Sequence, residues 1–512
     1  MPNDASLDKI RAPEWDAPVK DELGSPIDRT HAFRVTTRNE LAAILNWAAE
    51  NRMIVSPAGS FSSSSAFKSP PREWMEKHEK NGIVLVGFDN SAKSEFSQIS
   101  VDTDKMEASA GAAVNLQHFT DFVDSETKGE LENRMTITTM NAGLVATLLG
   151  SGGVSDSALS VDSICTASEF MNGLGRVRSE KYIPGDYFDY SSFDMVNPNQ
   201  LGREMSGRGG PFGIGLNATV KLFERPKMIH KVIYEFSHRD GSLEEIRKSF
   251  LDSIVAMNLA SQQKGLKLVP RAFEIMDGSA IKIAADAMRW IPKHMTSNPE
   301  LIIIAEFAQP ESGDHNVIEY LLENGFIPDE YMQFSEGLRL VGSEDLTGLE
   351  KFRLFGPDEI RNIRKRQFPK APTVSTDFAV AAADSGLTHW YGNEIFGLQD
   401  QMKNSGAIGV LYGHGFMRFD PHYRIVSPDE KVFEAHQERL SDLGNEFVRR
   451  EMALRAQGIR TMRERGEKPE LRDDKVISGN RSAAHQAANV EILNAEDPHG
   501  LFRHRAKERD IT

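Results

Sequence analysis

Three runs of small residues have the composition that lets backbone approach a phosphate group. The first, Pro57-Ala58-Gly59-Ser60-Phe61-Ser62-Ser63-Ser64-Ser65, follows the apolar run Met53-Ile54-Val55 and offers N–H groups and hydroxyls with little bulk. The second, Ala142 to Gly153, contains Gly143, Gly152 and Gly153, with side chains too small to obstruct a ligand. The third, Ser206 to Gly215, contains Gly213 and Ile214 and runs into an apolar stretch. Taken singly, each also reads as a tight turn. Their succession, with Ala110-Gly111 ahead of a helix between the first and second, points to a bound phosphate-bearing group. The lone cysteine, Cys165, excludes an intramolecular disulfide and a thiolate metal cluster, so redox chemistry here requires a cofactor.

The elements that must position these runs are legible from periodicity. Phe33 to Val35 reads as a strand, after which Thr37 caps a helix with Leu41, Ile44, Leu45 and Ala48 on one face, ending near Asn51. Met53 to Ser56, Ile83 to Val86, Ser97 to Val101 and Lys105 to Ala110 read as strands, and Leu116 to Val123 as a helix. A strand from Ile164 to Phe170 turns through Gly173-Leu174-Gly175 into another, and Leu216 to Phe223 is a strand that begins after the third run. Glu224-Arg225-Pro226 marks a boundary. Beyond it lie strands at His230 to Phe236, Phe273 to Ile275 and Leu301 to Phe307, and a helix from Ser242 to Met257. The remainder reads as richer in helix, at Asp358 to Arg366, Val432 to Gln457 and Arg481 to Leu493.

In this order the four features resemble the FAD domain of the vanillyl-alcohol-oxidase and p-cresol-methylhydroxylase family. Pro57 to Ser63 matches the family's Pro-Arg-Gly-Gly-Gly-Thr-Ser pyrophosphate loop, and Gly210 to Asn217 its Gly-Thr-Leu-Gly-Ile-Val-Thr-Glu signature, with Thr and Glu lost. The resemblance implies FAD, with Pro57, Gly59, Ser60, Phe61, Ser62 and Ser63 around the phosphates. It places Gly152 and Gly153 along the flavin, Gly143 among the cofactor-binding residues, and Gly213 and Ile214 beside the adenosine or isoalloxazine. Asp162 resembles the acidic or amide residue before the family's conserved strand, an ordinary strand cap being the other reading. Where relatives carry a flavin-linking histidine after the double glycine, this chain has Ser and Phe, so attachment there is not expected.

Thr376-Asp377-Phe378-Ala379-Val380, Gly413-His414 and Asp497-Pro498-His499-Gly500 resemble blocks of the D-lactate and glycolate dehydrogenase branch. That branch's Gly-Asp-Gly-Asn core is replaced by Phe416-Met417-Arg418-Phe419, and no metal is assigned. The resemblance implies that Arg353 forks onto a substrate carboxylate, with Arg361 and Arg364 as rivals on a solvated helix face. It implies that His414 accepts the hydroxyl proton while hydride passes to flavin N5, against a structural histidine bonded to backbone. A phenol-oxidising relative needs Tyr and Arg groups around a phenolate, and Tyr391, Tyr412, Arg418 and Tyr423 are concentrated here, unless they are packing residues. Three readings stay open: oxidation of a CH–OH group, in particular of a 2-hydroxy acid; oxidation or hydroxylation of a 4-substituted phenol; and a degenerate, non-catalytic flavin-fold subunit.

With 512 residues the chain exceeds the size of one hydrophobic core. The expected class is α+β: an N-terminal arm over 1–27, packed on the body or partly disordered; an FAD-binding domain of two α/β subdomains over 28–227; a substrate domain over 228–430; and a helical segment over 431–512 returning to the FAD domain. A net charge of −15 argues against a nucleic-acid partner and for phosphates held by backbone. No window is apolar enough to span a membrane and no leader peptide is visible, so the cytoplasm is the expected compartment. A small-molecule substrate and an electron acceptor of unassigned identity are implied. The helix over 432–457 offers a surface for pairing with a second copy, a solvated surface helix being the other reading.

Overall fold

Thr37 accepts the Glu40 N–H at 3.2 Å while the Glu40 carboxylate takes the Thr36 and Thr37 N–H groups at 2.7 and 3.0 Å. This capping box starts α1 (Arg38–Glu50) where the sequence places it, and Leu41, Ile44, Leu45 and Ala48 are all fully buried. The chain is described by a computed structural model, in residues 7–12, 30–57, 72–134, 143, 145, 164–181, 188–189, 194–195, 212–237, 242–264, 269–289, 299–308, 317–332, 335–340, 348–349, 373–375, 380–402, 408–416, 418–426, 439, 442 and 493–502.

α1 packs on a parallel sheet of β1 (Thr30–Val35), β2 (Met53–Pro57) and β3 (Gly82–Phe88), which follows the short helix α2 (Arg72–Lys77). The order β1-β3-β2 puts β3 in the middle, and all but the last of its residues are buried. Residues 7–12 dock on this sheet: Leu7 is buried, and the Ala12 N–H meets the Ala32 carbonyl at 2.9 Å.

Next come β4 (Ile99–Asp102), β5 (Glu107–Gly111), helix α3 (Leu116–Glu126), β6 (Leu131–Glu132), β7 (Cys165–Asn172) and β8 (Val177–Lys181). The short pair β9 (Phe188–Asp189) and β10 (Asp194–Met195) precedes β11 (Gly213–Lys221) and β12 (Phe223–Glu224). An antiparallel sheet runs β4-β5-β11-β7-β8, and β6 pairs with β12. Asn115 caps α3 by accepting the His118 N–H at 2.8 Å.

Residues 493–502 fasten these two sheets together. The Asp497 carboxylate accepts the Leu501 and Phe502 N–H groups, each at 2.8 Å, and the Leu501 carbonyl takes the Val55 N–H of β2 at 2.8 Å. Glu496 takes the Gly173 N–H on its carbonyl at 2.8 Å and the Asn172 side chain on its carboxylate at 2.6 Å. Leu501 and Phe502 share a core with residues of the parallel sheet and with Met171, Ile214 and Leu216. A side chain at Gly173 would strike Asp497.

The second half adds β13 (Ile229–Phe236), α4 (Leu243–Gln263), β14 (Ala272–Asp277), α5 (Gly278–Met288), β15 (Leu301–Ala308), α6 (Val317–Glu323), α7 (Asp329–Met332), β16 (Ser335–Leu340), β17 (Thr373–Ser375), β18 (Val380–Ala381), α8 (Ser385–Met402), β19 (Ile408–His414) and β20 (Arg418–Val426). They form an antiparallel sheet in the order β16-β13-β15-β14-β19-β20-β17, with β18 also on β20. α4 runs six residues past the expected Met257, and the region expected to be helix-rich contributes β17 to β20. β19 and β20 escape the periodicity because Gly409, Gly413 and Pro421 dilute their strand character. Gly409 is required by packing, since a side chain there would strike Tyr423.

The pleat gives this sheet two unlike faces. One carries Val232, Tyr234, Phe236, Phe273, Ile275, Ile303, Leu411, Phe419 and Tyr423 in a single apolar cluster with residues of α4, α7 and α8. The other carries Ile233, Met276, Ile302, Ile304, Val410 and Tyr412 under Ala280, Ile281 and Ala284 of α5. Among the described residues no helix is long and apolar enough to cross a membrane. The helices expected over 358–366, 432–457 and 481–493 lie outside the described residues except at Arg439, Asp442 and Leu493.

A candidate active site at the seam between the halves

Beyond the reach of α5, the second face turns polar. Alternation along each strand brings Lys231 (β13), Glu306 (β15), Glu274 (β14), His414 (β19) and Asp420 (β20) to one side. Lys231 is the register partner of Glu306, and His414 is the partner of Glu274 on one flank and Asp420 on the other. Directly paired side chains start about 5 Å apart, so the row crosses four strand intervals, roughly 19 Å. Glu306, Glu274 and Asp420 are buried, whereas His414 is half-buried. Carboxylates are rarely buried unless they are paired or used.

Arg271, just before β14, closes the row against the first half of the chain. Its Nη2 meets Glu132 Oε1 of β6 at 2.6 Å, its Nε stands 3.7 Å from Glu306 Oε1, and Lys231 Nζ reaches Glu306 Oε2 at 3.3 Å. Burial holds the Glu132 carboxyl above its ordinary range despite the neighbouring guanidinium. The seam is thus dry and charged, a setting in which each polar contact is worth more than in water.

The residues singled out from sequence fall into three groups. Gly59, Ser60, Phe61, Ser62, Ser63, Gly152, Gly153, Asp162 and Arg353, with Arg361 and Arg364, lie outside the described residues. Pro57 ends β2 as the partner of Val86, so the hydroxyl-rich run leaves from the carboxyl end of a parallel strand. Gly143 bridges to Asn115, the cap of α3. Gly213 and Ile214 are not in a loop ahead of a strand but inside β11, paired with Asn172 and Met171. A side chain at Gly213 would strike the Met171 carbonyl and Ile214 is buried in the core, which gives both a packing role. Gly111 likewise has one, against the backbone of Phe96.

In the second half, the structure brings His414 and Tyr412 to the same face, two residues apart, with Tyr412 packed under α5. Tyr423 is on the opposite face, fully buried among Leu411 and Phe419, where burial first and then the Asp277 charge push its phenol well up. It is therefore not gathered with His414. Arg418 begins β20 as the partner of Ala381. Arg271, Glu274, Glu306, Asp420, Lys231 and Glu132 were missed in the sequence. The available signal was acidic residues set singly in apolar strands, as in Ala-Phe-Glu274-Ile-Met and Ile-Ala-Glu306-Phe-Ala.

No protein-family model matches this sequence, and no curated protein matches it. Solved structures do. The chain is similar to 4-ethylphenol oxidase from Gulosibacter chungangensis in its isoeugenol complex, at 12% identity and a TM-score of 0.63, covering 98% of this chain and 92% of that one. It is similar to p-cresol methylhydroxylase with substrate bound, at 12% identity and a TM-score of 0.59 over 93% of this chain and 88% of that one. It is similar also to 6-hydroxy-D-nicotine oxidase from Arthrobacter nicotinovorans, at 13% identity and a TM-score of 0.58 over 98% and 96%. The fold is accordingly the mixed α/β, p-cresol-methylhydroxylase-type FAD-binding fold.

Proposed function

We propose that this chain is an FAD-dependent oxidoreductase that oxidises a CH–OH group of a 2-hydroxy acid. The observation that carries the reading is the placement of His414 on the polar half of the sheet face, flanked by Glu274 and Asp420. Bound FAD supplies the hydride acceptor, N5. The residues available to hold it are the Gly59-to-Ser63 run leaving β2, Gly143 beside Asn115, and the seam lined by the charged row. A buried guanidinium with unused N–H capacity in that seam fits an anionic ligand.

His414 takes the hydroxyl proton, as a neutral imidazole can. A second reading, oxidation of a 4-substituted phenol, is supported by two of the similar structures, a 4-ethylphenol oxidase and p-cresol methylhydroxylase. Against it, Tyr412 is packed under α5 and Tyr423 sits in the opposite core.

The test is the visible spectrum of the purified protein before and after anaerobic addition of D-lactate and, separately, of 4-ethylphenol. Flavin bands bleached by the acid support the first reading, and bleaching by the phenol alone replaces it with the second. A colourless protein that takes up no FAD leaves only the non-catalytic subunit.

A further inference from the structure

Arg271 is 8% exposed, yet its Nε and Nη1 have no hydrogen-bond partner among the described residues. Nη2 is spent on Glu132, and the 3.7 Å separation of Nε from Glu306 is an ion pair too long to be a hydrogen bond. Its backbone N–H is tied to the Glu306 carbonyl at 2.7 Å, so the stem is fixed while the Nη1 edge of the fork is left over. A guanidinium has five donors, and leaving several unused in a dry place is expensive unless a ligand completes them. Glu306 is meanwhile served by Lys231, which keeps it from competing for that edge.

We propose that Arg271 is the oxyanion-binding residue of the substrate site in this seam, taking the substrate's carboxylate on its Nη1 edge while Glu132 holds the opposite edge from the first half of the chain. The assignment rests on the oxidoreductase reading for its substrate class and stands on separate ground for its geometry. It makes Glu132 a positioning residue, and it makes recognition of the acid depend on both halves of the chain at once.

The probe is oxalate, titrated by calorimetry into FAD-loaded and flavin-stripped protein. Wild type is expected to bind it, and Arg271→Met to bind it roughly tenfold to a hundredfold more weakly. Arg271→Lys, which keeps the charge and loses the fork, should fall between, with an unchanged melting temperature showing that the seam is intact; if the Met variant does not fold, this variant decides. Oxalate binding that ignores Arg271, or is absent from wild type, overturns the assignment. So does loss of FAD from the variants with oxalate binding kept, which hands the residue to a cofactor phosphate. Arg271-dependent binding of 4-nitrophenolate in preference to oxalate overturns the carboxylate. Flavin bleached by D-lactate with oxalate binding indifferent to Arg271 sinks this assignment alone, whereas Arg271-dependent oxalate binding in a protein that takes up no FAD sustains it and sinks the oxidoreductase reading.

Discussion

Phe273 and Glu274 are neighbours in β14, and they face opposite ways. Phe273 lies in an apolar cluster that covers its face of the sheet under α4, α7 and α8; Glu274 lies in a charged row with His414 and Asp420. A sheet needs one sealed face to be stable, and the second face is then free to gather groups that cost stability. The pleat separates the two demands by a single residue.

The contrast can be broken most forcefully at the sealed face. Phe273→Ala should cost about 3–5 kcal/mol in urea unfolding, the usual loss for a fully buried aromatic ring, with the spectrum of the remaining folded protein unchanged. His414→Gln should do the reverse. Its unfolding midpoint should stay near wild type while anaerobic flavin reduction slows by about a hundredfold or more, the scale of a lost general base. A His414 variant that reduces flavin at the wild-type rate would remove the polar face from the chemistry.

Asp277 tests where the two faces meet. It caps α5 by accepting the Ala280 N–H at 2.7 Å, and burial raises its carboxyl to about 7 from 3.8. Because the folded state holds this proton more tightly than the unfolded chain, the group's contribution is full below about pH 4 and is lost as pH rises through about 7. Urea midpoints should therefore decline from pH 5 to pH 8, and Asp277→Asn should flatten that decline. The smallest effect is expected far from either face: Thr37→Ala removes a capping box and should cost about 1 kcal/mol by the same measurement.

Local signals made the first half readable. The Thr37 cap, the face of Leu41, Ile44, Leu45 and Ala48, and the β-rich run before Pro57 all act within a few residues, and all appear where expected. The candidate site was far less legible, because its members are scattered from Glu132 to Asp420 and meet through strand register and the Arg271–Glu132 pair. The apolar strand around Glu306 signals a buried acid but not its partners, and nothing local distinguishes Arg271 from any other arginine. Gly213 shows the converse: a glycine in a suggestive run turned out to be needed by the carbonyl of Met171.

The fastening at Asp497 has a temporal consequence. β2 and the turn after β7 are synthesised early, but the carbonyls and carboxylates that clamp them, on Glu496, Asp497 and Leu501, leave the ribosome last among the described residues. At ordinary elongation rates the two early sheets must wait on the order of half a minute for their strap. A nascent chain halted at residue 430 would lack this clamp, and its two sheets would be joined only by their shared core and the Arg38–Glu169 ion pair among the described contacts.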